Sequence, residues 1–170
     1  VVQPKSQISG ARDEAGVLLA VLLNPTAGTS GRRTLTAVAR AAAVVDCGRT
    51  IVANLCMWPT RSVVELNGLG GRNGWDCARP ALGAALVEAD EVLAGWGVSG
   101  LSGPARLERD RQANWLLREM VAAGRTQIWM VGGAPRHPSR WHQYLADRHG
   151  HVTGGSFEER LRTVLQPQPA

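Results

Sequence analysis

Val17 to Leu23 (VLLAVLL) is an unbroken apolar run that stops at Asn24-Pro25. It is too short to cross a bilayer and has no polar alternation, so it reads as a strand buried on both faces. Such a strand needs parallel neighbours and a layer of helices above and below. The rest of the chain supplies both. Thr50 to Cys56 (TIVANLC), Asp90 to Trp96 and Thr126 to Val131 (TQIWMV) read as three further strands bounded by Gly, Pro and Asn.

Helices fill the intervals. Leu35, Val38, Ala39, Ala42 and Val45 recur at helical spacing, which predicts a helix capped by Thr29 or Ser30, running through about Val45 and closed by Gly48. A short helix is expected over Ser62 to Asn67 and a loop over Gly68 to Gly74. Asp76 then caps a helix through about Ala89, and Gly97 to Pro104 is a second Gly-rich loop. Leu107 to Ala123 is helical and ends at Gly124, while Ser139 to Arg148 and Ser156 to Leu165 supply the last two helices, with a short strand near His151 to Thr153. Strands and helices alternating through short connections predict an α/β fold, a three-layer α/β/α sandwich around a mainly parallel four-stranded sheet. It occupies residues 17–165 as a single domain, between a flexible N-terminal segment (1–16) and a frayed C-terminal tail (166–170).

A chain of 170 residues, 44% hydrophobic and 19% charged, suits one such domain. Cys47, Cys56 and Cys77 are odd in number and scattered, which suggests neither a disulfide framework nor a zinc or iron–sulfur set. The polar stretch Val1 to Glu14 lacks the apolar core of a signal peptide, so the expectation is a cytoplasmic protein without membrane contact. The net charge of +5 permits a phosphate-bearing partner. Lys5 is the only lysine, so the positive charge is almost all arginine, whose fork suits phosphate but also follows from a GC-rich genome. Six tryptophans stand against one Phe and one Tyr; they suit base stacking and, equally, a core.

Several familiar signatures fail on context. Gly95-Trp96-Gly97-Val98-Ser99-Gly100 matches GxGxxG after a strand, but Ser102-Gly103-Pro104 is expected to keep the helix from starting where a pyrophosphate needs it. Gly68 to Gly74 lacks the Lys-Ser/Thr ending of a phosphate loop. His137, His142, His149 and His151 form no HExxH and pair with no cysteine at ligand spacing, and no serine sits in a nucleophile elbow. No metal and no cofactor are expected.

The unusual residues lie in the loops that open at Asn24, Asn54, Gly97 and Gly132, at the carboxyl ends of the strands, where such sheets bind ligands. The set Asn24-Pro25-Thr26-Ala27-Gly28, Asn54-Leu55, Ala94-Gly95-Trp96-Gly97 and Gly133-Ala134-Pro135-Arg136-His137-Pro138-Ser139, between about Val17 and Leu145, resembles a family of bacterial and phage proteins known as a domain of unknown function. The family pattern is Asn-Pro-Ser/Thr-x-Ala, then Asn-Leu, Trp-Gly and Gly-x-Pro-x-His-Pro. More remotely the arrangement is similar to the uracil-DNA glycosylase superfamily. That superfamily has a water-positioning loop after its first strand, a base-reading asparagine on its second and a late His-Pro-Ser. The chain departs from it: the first motif has no Asp or Glu, the stacking aromatic after it is missing, and Arg136 and Arg140 replace a leucine-bearing insertion loop.

The resemblance implies roles. Asn24 orients a water and His137 donates to the departing base, the two catalytic positions, while Pro25, Thr26 and Gly97 shape the site. Asn54 reads the base edge. By their own chemistry, and not by the resemblance, Trp58 or Trp96 supplies a stacking face, Arg136 and Arg140 hold phosphate at the mouth, and Ser139 is a further substrate-binding position. A neutral histidine donor suits N-glycosidic cleavage because negative charge builds on the leaving base. Plainer explanations compete. Asn24 and Thr26 serve equally as turn residues, Asn54 needs hydrogen bonds in an apolar strand whatever its function, and the two prolines around His137 make a rigid turn. The functional expectation is a nucleobase- or nucleotide-recognising protein acting on DNA or a nucleotide, with N-glycosidic hydrolysis as its chemistry. The alternatives are a non-catalytic nucleic-acid- or nucleotide-binding module and an enzyme acting on a nucleoside-like small molecule.

Overall fold

The structure, a computed structural model, describes residues 15–69, 71, 73–98, 100–146 and 154–170. Its elements run β1 (Gly16–Leu22), α1 (Arg32–Val44), β2 (Cys47–Asn54), α2 (Val63–Leu69), α3 (Asn73–Asp76), α4 (Arg79–Glu88), β3 (Glu91–Ala94), α5 (Gly103–Ala122) and β4 (Gln127–Val131). A 3-10 turn (Pro138–Arg140), α6 (Trp141–Tyr144), α7 (Phe157–Val164) and β5 (Leu165–Pro169) complete the chain. The expected N-terminal segment up to residue 14 and the strand near His151 to Thr153 lie outside the described residues.

The apolar run forms the central strand it predicts. β1 pairs in parallel with β2 on one side and β3 on the other, and Leu18 to Leu22 are buried. Alternate residues face opposite layers, as a pleat demands. Leu19, Val21 and Leu23 pack with Leu66, Trp75, Leu82, Leu116 and Met120 from α2 to α5. Leu18 and Ala20 pack with Val38, Ala41, Trp141 and Leu161 from α1, α6 and α7, and with Leu145 just after α6. Helices therefore cover both faces of the sheet, and among the described residues no helix is long and apolar enough to cross a membrane.

The sheet itself corrects the expectation. It has five strands in the order β2-β1-β3-β4-β5 and is mixed, because β5 runs antiparallel to β4. The segment read as a frayed tail is that fifth strand. Its prolines hid it, yet they fit an edge: Ala170 donates its N–H to Thr126 (3.0 Å), so Gln166 and Gln168 share that inward side. Pro167 and Pro169 then take the outward positions, where an N–H has no partner in the sheet.

Local boundaries shift for reasons visible in the backbone. Neither Thr29 nor Ser30 caps α1; Gly31, left-handed at φ 62°, holds the cap position and no side-chain cap bond forms. Asp46 at φ 57° ends that helix in the left-handed place expected of Gly48, which lies inside β2. Asp76 closes α3 instead of capping the next helix, whose cap position is Ala78. The loop expected over Gly68 to Gly74 is shortened at both ends by α2 and α3. α5 starts at Gly103 with Pro104 in its first turn, where a missing N–H costs nothing, so the helix begins before the expected Leu107 but still after the segment Gly95 to Gly100.

Candidate functional site

The carboxyl ends of β1 and β2 are held in register, Leu22 opposite Asn54, and the chain beyond them stays zipped. Leu55 donates to the Leu22 carbonyl (2.9 Å), Thr60 to that of Pro25 (3.1 Å) and Ala27 to that of Thr60 (3.0 Å). A bridge between Thr26 and Thr60 continues the parallel pairing past both strands. Between this seam, the first turn of α1 and the loop after β4 lies a cavity of about 170 Å³. Leu22, Pro25, Leu35 and Val52 give it apolar walls; Asn24, Thr26, Asn54 and His137 give it polar ones. Four of the loop positions singled out by sequence therefore meet in one crevice, together with Pro25.

Asn24 is committed to the fold. Its two Nδ2 hydrogens are shared among three acceptors, the carbonyls of Pro25 (3.0 Å) and Trp58 (3.1 Å) and Thr60 Oγ1 (2.9 Å), and Thr60 donates its own hydroxyl proton to the Ser62 carbonyl (3.1 Å). The amide thereby ties the loop after β1 to the loop after β2. Oδ1 alone is left to face a water or a ligand, and it can only accept.

Asn54 differs. As the last residue of β2 it lines the crevice, and its Oδ1 is buried with no hydrogen-bond partner. A buried acceptor without a donor costs about 1–3 kcal/mol.

His137 reaches the crevice on a loop anchored twice. Gly132 and Gly133, at φ 59° and 66°, let the chain turn back so that Ala134 bridges Val131, a geometry that side chains resist. Gly97 then donates its N–H to the Pro135 carbonyl (2.6 Å), and Gly95 lies so close to Leu22 and Pro138 that an added Cβ would fall 2.9 and 3.2 Å from them. The two glycines of Gly95-Trp96-Gly97 thus seat the His-Pro-Ser segment against the end of β3. Within it, Ser139 donates its backbone N–H to His137 Nδ1 (3.3 Å), with Ser139 Oγ 2.8 Å from the same atom. A backbone N–H can only donate, so Nδ1 is the acceptor and the ring proton sits on Nε2. Burial, and secondarily the Arg140 guanidinium, push the imidazole below its ordinary pKa. The ring is therefore a neutral Nε2–H donor at neutral pH, and Ser139 is the residue that sets its tautomer.

Other expected contacts lie elsewhere. Trp96 is buried in the core beside Leu19, and the Trp58 ring covers Gly74, whose Cβ would fall 2.4 Å from Trp58 Cδ2. Neither ring lines the crevice as a stacking face. The Arg136 guanidinium lies over the Tyr144 ring at 4.1 Å with its Nε buried, while its carbonyl accepts from Trp141 Nε1 (2.8 Å). It braces α6 and is no part of the crevice wall. Arg140 is exposed and bonds Gln143 (3.3 Å). Gly97 acts through its backbone, behind His137.

Thr29, Ser30 and Thr34 line the crevice unannounced. Thr29 and Ser30 were expected as helix caps, but Gly31 holds that position. Among the described residues no group of three or more His, Cys, Asp or Glu is gathered for a metal ion, and no Asp or Glu lines the crevice. Comparison with protein-family models, with characterised proteins and with solved structures returned no match.

Proposed function

We propose that the crevice recognises one nucleobase-type heterocycle by its lactam edge, an N–H beside a C=O. The observation that carries this reading is the buried, unpartnered Oδ1 of Asn54. It calls for a donor, and the neutral Nε2–H of His137 in the same cavity calls for an acceptor. A lactam edge, as in uracil, thymine or guanine, offers both with a carbonyl as the acceptor, whereas the amino edges of adenine and cytosine offer both with a ring nitrogen, on which less negative charge gathers. The cavity, about 170 Å³, falls below the roughly 300–1,000 Å³ of sites for drug-sized ligands, so it suits a single ring system rather than a dinucleotide. The net charge of +5 and the resemblance to the uracil-DNA glycosylase superfamily agree with a base borne on a nucleotide or on DNA.

One observation also favours catalysis. A histidine held neutral with its proton on Nε2 strengthens its bond to a base as negative charge develops there, and one such donor is worth about 10²–10³ in rate at comparable oxyanion sites. Asn24 Oδ1 can position a water but cannot take its proton, so hydrolysis of an N-glycosidic bond here proceeds without a carboxylate base and is slow.

The test incubates the protein with nucleosides, nucleotides and single- and double-stranded DNA carrying normal, deaminated and alkylated bases, reading binding by NMR and free base by mass spectrometry. Deoxyuridine, thymidine or deoxyguanosine is expected to bind more tightly than deoxyadenosine and deoxycytidine. Base release that disappears in His137→Ala establishes the hydrolase; binding without release establishes the non-catalytic module. Indiscriminate binding of all five nucleosides, or of none, overturns the edge reading.

A further inference from the structure

Beside the crevice lies a second cavity, of about 280 Å³, and the first two turns of α1 are the partition between them. Helical periodicity sorts their side chains: Thr34 and Leu35 line the crevice, whereas Arg33, Thr36 and Arg40, at i, i+3 and i+7, line the groove. The loop after β4 divides the same way, His137 to the crevice and Pro138 to the groove. His142 from α6 and Phe157 from α7 close it.

The groove's charges are not equally free. Arg40 is paired with Glu158 (3.0 Å) and lies over the Phe157 ring at 5.0 Å, which spends its charge within the fold. Arg33 and His142 are exposed and, among the described residues, make no hydrogen bond or ion pair. One carboxylate is therefore already answered, and an unanswered guanidinium and imidazole remain over a floor of Ala37, Pro138 and Phe157.

We propose that this groove is a phosphate subsite, in which Arg33 and His142 hold the phosphate or phosphodiester of a nucleotide whose base lies in the crevice. The proposal rests on the crevice reading and adds the substrate class: a phosphorylated nucleoside or a nucleic-acid strand, not a free base. Arg33 supplies the fork that binds two phosphate oxygens together, and His142 a ring N–H.

Affinities of the full chain are measured by NMR titration at low salt for deoxyuridine, thymidine and deoxyguanosine, for their 5′-monophosphates, and for a short mixed-sequence single-stranded oligonucleotide. The monophosphates are expected to bind about tenfold tighter than the parent nucleosides, the effect of one charge-assisted contact. Arg33→Glu is expected to abolish that advantage and leave nucleoside binding intact, which also reports that the variant is folded. An acidic side chain in the first turn suits the helix dipole, so the change does not threaten α1. Arg118→Glu, on α5 across the sheet, is expected to change neither affinity. A monophosphate advantage that is absent in the wild type, or that survives Arg33→Glu, overturns the subsite while the crevice reading stands. Failure of folded wild-type protein to bind any nucleoside or nucleotide overturns both. With the subsite upheld, tighter binding of the oligonucleotide than of the monophosphates assigns the phosphate to a strand, and equal or weaker binding assigns it to a mononucleotide.

Discussion

Asn24 stands two residues past the end of β1 and Asn54 is the last residue of the neighbouring β2, so the two face one crevice from adjacent parallel strands. Their side chains do opposite things. Asn24 Nδ2 shares its two hydrogens among three acceptors and so fastens two loops, whereas Asn54 carries a buried oxygen with no donor. An asparagine that satisfies itself inside the protein stabilises the fold, and one left unsatisfied is paid for only when something binds. Residue type and position along a strand do not separate the two cases; the partners in space do.

The comparison breaks first at Asn24. Asn24→Ala removes the clamp, leaving the Trp58 carbonyl without its donor and the Pro25 carbonyl with the Thr60 N–H alone, at about 0.5–1.5 kcal/mol for each bond lost. A loss of about 2 kcal/mol is expected, which lowers Tm by about 4–8 °C in a chain of this size. Thr60→Val removes one acceptor of the same clamp, so its effect is expected to be smaller and not additive with Asn24→Ala in a double-mutant cycle. Equal stability of wild type and Asn24→Ala by thermal denaturation removes the structural role assigned to this residue.

Asn54→Leu is expected to do the reverse. Replacing a buried unpaired acceptor with a side chain of similar size leaves Tm unchanged or raises stability by up to about 1 kcal/mol. Affinity for a lactam-bearing nucleoside falls about tenfold or more, 1.4 kcal/mol or above. A fall in Tm with affinity unchanged would make Asn54 a second structural asparagine and remove the main support for the edge reading.

The same contrast explains what the sequence could reveal. β1 was legible because a strand buried on both faces needs an unbroken apolar run, and the crevice was legible because parallel strands place their following loops on one edge. β5 was not, because Pro167 and Pro169 mark irregular chain everywhere except on the outward side of an edge strand. The clamp was not legible either: two of the three acceptors of Asn24 are backbone carbonyls, which carry no residue signature, and the third, Thr60, lies 36 positions away. Trp58 and Trp96 misled for a related reason. An aromatic residue beside a candidate site suits stacking and core alike, and burial decides; Trp96 went to the core and Trp58 to the surface of Gly74. Ser139, expected to bind substrate, contacts the ring of His137, a pairing two residues apart that the motif alone does not announce.

The smallest expected effect concerns pH, and it separates His137 from both asparagines, which do not titrate. Burial, then Arg140, lowers the folded-state pKa of His137 below its unfolded value of about 6.5. The folded protein therefore binds fewer protons than the unfolded chain in this range. The stabilisation is fully present above about pH 6.5 and is lost as pH falls through the folded-state value. Protonation also places a hydrogen on Nδ1, facing the Ser139 N–H that now donates to it, so the turn carrying the ring loses a contact at the same time. Stability measured by denaturant titration from pH 7.5 down to 5 should decline less steeply in His137→Gln than in wild type, the difference curve isolating this ring from His142, His149 and His151. Parallel curves would mean that His137 is solvated like an ordinary surface imidazole, and a ring free to protonate near neutrality cannot serve as the neutral donor that the proposed recognition of a base carbonyl requires.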